Sequence, residues 1–131
     1  MQHATVFAGF LITLFLGCSR SLDPVAESAD EITGTWVHQT YTDGIRILTR
    51  SNGLEEDNSG YIFYSNHTLI ERKNAGWCGT PPITYANFDG HWQRFDNQNM
   101  KIIVGYWGGT DTMDVSIEYL DSAVLKLRYL D

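Results

Sequence analysis

Turn signals recur roughly every eight to twelve residues after residue 32, and they separate short stretches rich in β-branched and aromatic residues. Asp43-Gly44 is a strong hairpin signal, and Asn66-His67 is a weaker one. Residues 113–120 alternate between apolar and polar side chains, as in a strand with one buried face. No segment has sustained helical periodicity. The pattern predicts an all-β chain: a small antiparallel up-and-down β-barrel of about eight strands, with neighbouring strands paired in order. Closing the sheet would also remove its exposed edges.

Composition narrows the functional classes. The chain has 131 residues, 43% of them hydrophobic and 19% charged, which suits one globular domain with a leader. The formal net charge is −7 and no Lys/Arg cluster is interleaved with aromatics, so we expect no nucleic-acid partner. His38, His67 and His91 lack metal-ligand spacing, and no nucleophile or phosphate-loop motif occurs. We therefore expect no metal, no cofactor and no catalytic residue, and we expect a monomer that is not an enzyme.

The N-terminus carries an apolar run over residues 4–16, too short to span a bilayer and suited to the core of a secretory signal. We assign residues 1–17 to this signal peptide. Residues 18–31 contain Pro24, several small residues and four acids, and we assign them to a flexible tether. A short helix over residues 25–32 is the alternative. Residues 32–131 are then left to form the barrel.

The end of the leader, Leu16-Gly17-Cys18, resembles the lipobox of bacterial lipoproteins. Phe15 and the absence of Lys or Arg at the start of the chain depart from that pattern. The resemblance implies that Cys18 is the lipid attachment site, and two or three acyl chains anchor a protein stably. It also implies the bacterial cell envelope, with the outer membrane favoured over the inner because no Asp follows Cys18. A plain cleaved signal is the alternative.

The remainder resembles the lipocalin-like lipoproteins of bacteria. The matching segments are Gly34-Thr35-Trp36 on a first strand, an aromatic hairpin over residues 61–69, Gly90-His91-Trp92, and a closing strand over residues 120–129. The resemblance implies a closed barrel end built from Gly34, Trp36 and Arg128, with the Arg128 guanidinium packed on the indole. An exposed Arg128 is the alternative. The inward Arg-x-Tyr clamp of related fatty-acid-binding barrels is not carried over, because Arg128 and Tyr129 are adjacent and point to opposite faces.

Residues 74–82 form the most distinctive loop, with two Gly and two Pro around Trp77 and Cys78. Trp77 and Cys78 either plug one end of the barrel or contact a ligand or partner, and Cys78 could also be a reactive thiol. A Cys18–Cys78 disulfide is a third alternative, which would require an unmodified Cys18. Tyr106 and Trp107 are further candidate contacts.

Two functions follow from this reading. The first is a membrane-anchored, lipocalin-like lipoprotein that binds a small apolar ligand inside the barrel. The second is a barrel filled by its own side chains, which acts as a structural or protein-interaction domain of the envelope.

Overall fold

The computed structural model describes residues 30–76 and 79–131, which form eight antiparallel strands, no helix, and one closed barrel. The predicted small up-and-down barrel of about eight strands is thereby confirmed. The signal peptide, Cys18, most of the tether, Trp77 and Cys78 lie outside the described residues. The strands are β1 (Gly34–Thr42), β2 (Ile45–Ser51), β3 (Gly60–Phe63), β4 (Thr68–Asn74), β5 (Tyr85–Arg94), β6 (Asn99–Tyr106), β7 (Gly109–Leu120) and β8 (Val124–Leu130).

The first hairpin departs from the order of a simple meander. Strands β3 to β8 pair in sequence order, but β1 lies between β2 and β3, and β2 closes the barrel against β8. Residues 52–59 therefore cross the outside of β1 to connect β2 with β3. Leu54 of this crossing lies over the Gly60–Val37 pair, within 3.0 Å of where a Gly60 Cβ would be. The crossing explains why Val37 is buried although it alternates with the inward Trp36.

The barrel interior is packed with apolar side chains from all eight strands. Each large apolar side chain that is fully buried contributes about 1.5–3 kcal/mol to folding. The core residues are Ile32, Trp36, Leu48, Tyr61, Phe63, Leu69, Trp92, Met100, Ile102, Val104, Val115, Ile117, Leu125 and Leu127. This filled interior leaves the open space of the barrel at one end.

The closed end, which we call the base, is sealed where β1 begins. Trp36 is fully buried, and its Nε1 donates to the Ile32 carbonyl oxygen over 2.7 Å. The Arg50 guanidinium lies 4.1 Å from the Trp36 ring centroid. It also donates to the backbone carbonyl oxygens of Thr33, Glu31 and Ser122, at 2.7 to 2.8 Å. One side chain thus joins the incoming chain, β2 and the turn before β8.

Arg50, and not Arg128, packs on Trp36, so the position expected for Arg128 is wrong. Arg50 pairs with Trp36 across β1 and β2, and the two side chains therefore share a face. Arg128 faces outward, where its Nε donates to Glu118 Oε1 at 2.9 Å. Gly34 lies at the base with φ +125°, and a Cβ there would collide with the Arg50 guanidinium. Gly34 is needed for both reasons.

The tether assignment overlaps the base by two residues. Asp30 forms an ion pair with Arg94 at the end of β5, and its carbonyl oxygen accepts from Thr33 N at 2.8 Å. The Glu31 carbonyl oxygen accepts from Arg50. Both residues therefore belong to the closure of the barrel.

Replacing Arg50 tests this closure. We expect Arg50→Ala to lower the free energy of unfolding by about 2–3 kcal/mol, because it removes a cation–π contact and three charge-assisted hydrogen bonds. Arg128→Ala is the matched control and should cost less than about 1 kcal/mol, since it removes an exposed ion pair. Urea unfolding followed by tryptophan fluorescence measures both variants. Equal losses in the two variants would contradict the assigned role of Arg50.

Candidate ligand site at the barrel mouth

The end of the barrel opposite the base, which we call the mouth, holds an open depression of about 300 Å³. It lies where β1, β4 and β8 end and where β2, β3 and β7 begin, so six strands contribute to it. Its lining contrasts with the apolar core below, because most of its side chains are charged or carry a hydroxyl group. The lining residues are Tyr41, Arg46, Tyr61, Glu71, Lys73, Met113 and Tyr129.

Strand alternation turns these side chains inward. Arg46 alternates with the buried Leu48 on β2, and Glu71 alternates with the buried Leu69 on β4. The register then places Glu71 opposite Tyr61. These polar groups thus continue the inward face of the barrel toward the mouth.

Arg46 is the most buried charge at the mouth, with 4% of the residue exposed. Its Nε donates to His38 Nδ1 at 3.4 Å, one terminal nitrogen donates to Tyr129 Oη at 3.0 Å, and the other donates to Ser59 Oγ at 2.9 Å. Its guanidinium also lies 5.0 Å from the Tyr61 ring centroid. Every hydrogen-bond acceptor of Arg46 among the described residues is therefore a neutral group.

Glu71 is the carboxylate of this cluster, and 6% of the residue is exposed. It forms an ion pair with Lys73, with Oε2 at 2.8 Å from Nζ. Its other oxygen lies 3.9 Å from Arg46, beyond hydrogen-bond distance. Lys73 also lies 5.3 Å from the Phe88 ring centroid. Glu71 is thus committed to Lys73 and only weakly compensates Arg46.

Two phenols complete the cluster. The hydroxyl oxygens of Tyr61 and Tyr129 are 2.9 Å apart and share one hydrogen bond, in which either group can donate. Burial raises the pKa of Tyr61 well above its ordinary value, and it also raises the pKa of Tyr129. Both hydroxyl groups therefore keep their protons at neutral pH, and one of them donates to the other.

His38 lies beside Arg46 near the end of β1, where a bulge shifts the register between His38 and Thr40. Burial, followed by the positive charge of Arg46, lowers the pKa of His38 from its ordinary value of 6.5. The neutral imidazole can then accept the hydrogen bond from Arg46 Nε through Nδ1. The bulge is typical of strand positions that aim a side chain at a site.

Sequence reasoning placed its candidate contacts elsewhere. Tyr106 and Trp107 lie at the β6–β7 turn at the same end of the molecule, where Trp107 is 59% exposed, but neither lines the mouth. Trp77 and Cys78 lie outside the described residues. Sequence reasoning missed Arg46 and Glu71. The signal that could have found Glu71 is a charged residue in phase with the inward Leu69, whereas Arg46 lies between Ile45 and Ile47 and gives no such signal.

A second concavity lies on the outer wall of β4 to β7 and measures about 530 Å³. It passes over Gly90, where a Cβ would collide with the Ile103 carbonyl oxygen of the neighbouring strand. Its outward side chains are mostly apolar or uncharged, and Asp89 is the charged one among them. The outer-wall residues are Thr68, Ile70, Asp89, His91, Ile103, Gly105 and Thr110.

Comparisons with protein-family models, with curated proteins and with solved structures gave no match to this chain. Within residues 30–76 and 79–131, no group of His, Cys, Asp and Glu side chains is arranged to hold a metal ion. The same residues contain no helix long and apolar enough to cross a membrane.

The lowered pKa of His38 predicts a pH dependence of stability. The unfolded chain binds a proton near pH 6.5 and the folded protein only at lower pH. Stability should therefore be complete above about pH 6.5 and should fall as the pH decreases toward the folded pKa. Urea titrations between about pH 7.5 and pH 5 measure this slope.

His38→Gln should flatten that slope, because the glutamine amide oxygen accepts from Arg46 without titrating. His91→Gln, at an exposed position of β5, controls for the substitution itself. The pKa values of Asp96 and Asp121 are lowered from 3.8. These two carboxyl groups therefore change stability only at pH values below the range of this titration. A slope that is unchanged in His38→Gln would refute the assignment.

Proposed function

We propose that this protein is a non-enzymatic, membrane-anchored barrel of the lipocalin-like lipoprotein kind, and that it binds a small ligand at its mouth. The observation that carries the proposal is the pair of almost fully buried charges, Arg46 and Glu71, beside an open depression. Removing a charged group from water costs free energy, and a buried ion cluster therefore often adds little to the stability of the fold. Such clusters are more typical of sites where a ligand binds.

The packed core favours the mouth over a deep cavity as the ligand site. An apolar ligand inside the barrel would compete with side chains such as Trp36, Phe63 and Trp92, which are buried against one another. At the mouth, Tyr41 and Met113 offer apolar contact next to the charged groups. The ligand is therefore small, with an apolar part at the rim and a polar part within the cluster.

The attachment proposed at Cys18 agrees with the geometry of the barrel. The described chain begins at the base, where Asp30 pairs with Arg94, and the mouth opens at the opposite end. A tether of about a dozen residues from Cys18 would reach the base first and leave the mouth facing away from the membrane.

A second candidate function is a filled barrel that binds another protein. The exposed aromatic pair at the β6–β7 turn favours it, because Tyr106 and Trp107 pack edge-to-face at 5.7 Å and remain exposed to solvent. Exposed Trp and Tyr side chains are enriched among residues that dominate protein interfaces.

Cys18→Ala tests the anchor. We expect the variant to leave the membrane fraction or to remain unprocessed, because no thiol is available for lipidation. Cys78→Ala is the matched control and should stay with the membranes. Fractionation combined with mass spectrometry of the mature N-terminus measures both outcomes, and unchanged membrane retention of Cys18→Ala would reject the anchor.

Native mass spectrometry of protein purified from its host tests the ligand. We expect a bound small organic mass, and we expect Met113→Trp to abolish it by filling the mouth. Ile103→Trp, which instead fills the outer-wall concavity, should retain the mass. Loss of the mass only in Ile103→Trp would move the site to the outer wall. A bound protein partner with no small mass would favour the second function.

A further inference from the structure

We infer that the mouth recognises an organic carboxylate. The inference rests on the proposed function and specifies the chemical class of the ligand at that site. It follows from an excess of hydrogen-bond donors and of positive charge among the side chains at the mouth. A carboxylate is acceptor-only when ionised, and its two oxygens accept several hydrogen bonds at once.

The cations at the mouth have more hydrogen-bond donors than the described residues use. Among those residues, three of the five N–H groups of Arg46 donate in hydrogen bonds, to His38, Tyr129 and Ser59. Lys73 Nζ has three donors and gives one to Glu71. These two cations therefore keep donors available beside the depression that they line.

The phenols add one more donor. Tyr61 and Tyr129 carry two hydroxyl protons, and the hydrogen bond between them uses one. Whichever group donates, the hydrogen bonds of the described residues leave the second proton without an acceptor. Acceptors at the mouth are fewer: one oxygen of the Glu71 carboxylate is paired with Lys73, and the other lies 3.9 Å from Arg46. An incoming ligand must therefore supply acceptors.

The mouth also has an excess of positive charge. The described side chains that line the depression include two cations, Arg46 and Lys73, and one carboxylate, Glu71, and together they carry one net positive charge. His38 beside Arg46 is neutral at pH 7 because its pKa is lowered. Asp111 is on the same face of β7 as Met113 and lies nearer the start of that strand. It is exposed, however, and does not line the depression. A monovalent anion would neutralise the excess.

The burial of Arg46 gives the anion its advantage over a neutral ligand. Its side chain is 5% exposed, and its guanidinium has neutral partners within hydrogen-bond distance. Charge–charge interactions strengthen as water is excluded, so an anion that reaches the mouth gains more there than at the surface. Arginine also pairs with carboxylates through two parallel hydrogen bonds. The depression of about 300 Å³ admits a short-chain acid with its chain against Met113.

Methyl NMR of the full chain labelled at methionine tests the inference with hexanoate and hexanamide as probes. These two molecules have the same shape and differ in charge. Met113 lines the mouth and reports binding, whereas Met100, 1% exposed in the core, is an internal reference. We expect hexanoate to shift the Met113 methyl signal until the site is saturated. Hexanamide should bind at least about tenfold more weakly, because it cannot form a charge-assisted pair with the protein.

Two variants should change the affinity for hexanoate in opposite directions. Lys73→Gln should weaken it about fivefold by removing a cation, and Glu71→Gln should strengthen it by a similar factor by removing the competing carboxylate. Lys126→Gln is the matched control, because Lys126 faces outward over Tyr119 and should leave the affinity unchanged. Thermal melting of each variant verifies that it is folded, and Lys73→Gln alone suffices if Glu71→Gln does not fold.

Equal affinity for hexanoate and hexanamide would overturn the inference, and so would equal effects of Lys73→Gln and Lys126→Gln. A Met113 signal that hexanoate leaves unshifted would also overturn it. None of these outcomes affects the proposed function, which depends on the small mass bound at the mouth in native mass spectrometry. Absence of any such bound mass would reject the proposed function itself.

Discussion

The stacking of Arg50 on Trp36 is the contact on which the closed barrel depends. The first hairpin brings the two residues opposite each other, and the guanidinium then ties down three backbone carbonyl groups from the incoming chain and the last turn. Without Arg50, those carbonyl groups would need other partners, such as water. A cation that stacks on an indole and satisfies backbone acceptors does two tasks with one side chain. Gly34 is the residue whose missing side chain leaves room for the Arg50 guanidinium.

The two ends of the barrel use arginine in different ways. At the base, the donors of Arg50 are directed to backbone carbonyl oxygens and its face covers an aromatic ring. At the mouth, Arg46 is more deeply buried, yet it is held by an imidazole and two hydroxyl groups. The hydrogen bonds of Arg50 hold the barrel closed. The positive charge of Arg46, in contrast, is only partly compensated by its neighbours and can still interact with an anion. This contrast is the physical basis for assigning a structural role to the base and for proposing that the mouth binds a ligand.

The general fold was predictable from the sequence because the relevant signals are local. The spacing of the turn signals predicts the number of strands. The alternation over residues 113–120 predicts that Val115 and Ile117 share a buried face, and both are buried in the structure. Non-local features were not predictable. Ile45 and Ile47 flank Arg46, so the apolar pattern alone would turn Arg46 outward, although the register turns it inward. Arg50 and Arg128 likewise look equivalent in the sequence, and only the pairing of β1 with β2 shows which of them meets Trp36.

The placement of the first hairpin has a consequence for the order of assembly. Strand β2 forms half of its ladder with β8, whose residues lie about eighty positions later in the chain. Contacts this distant in sequence are slow to form because a long loop must close first. The edge of β2 in the first hairpin therefore remains unpaired until β8, a strand of seven residues, is available to pair with it. A chain that emerges gradually from a ribosome or a translocation pore would stay open, and vulnerable to proteases and to self-association, until β8 appears.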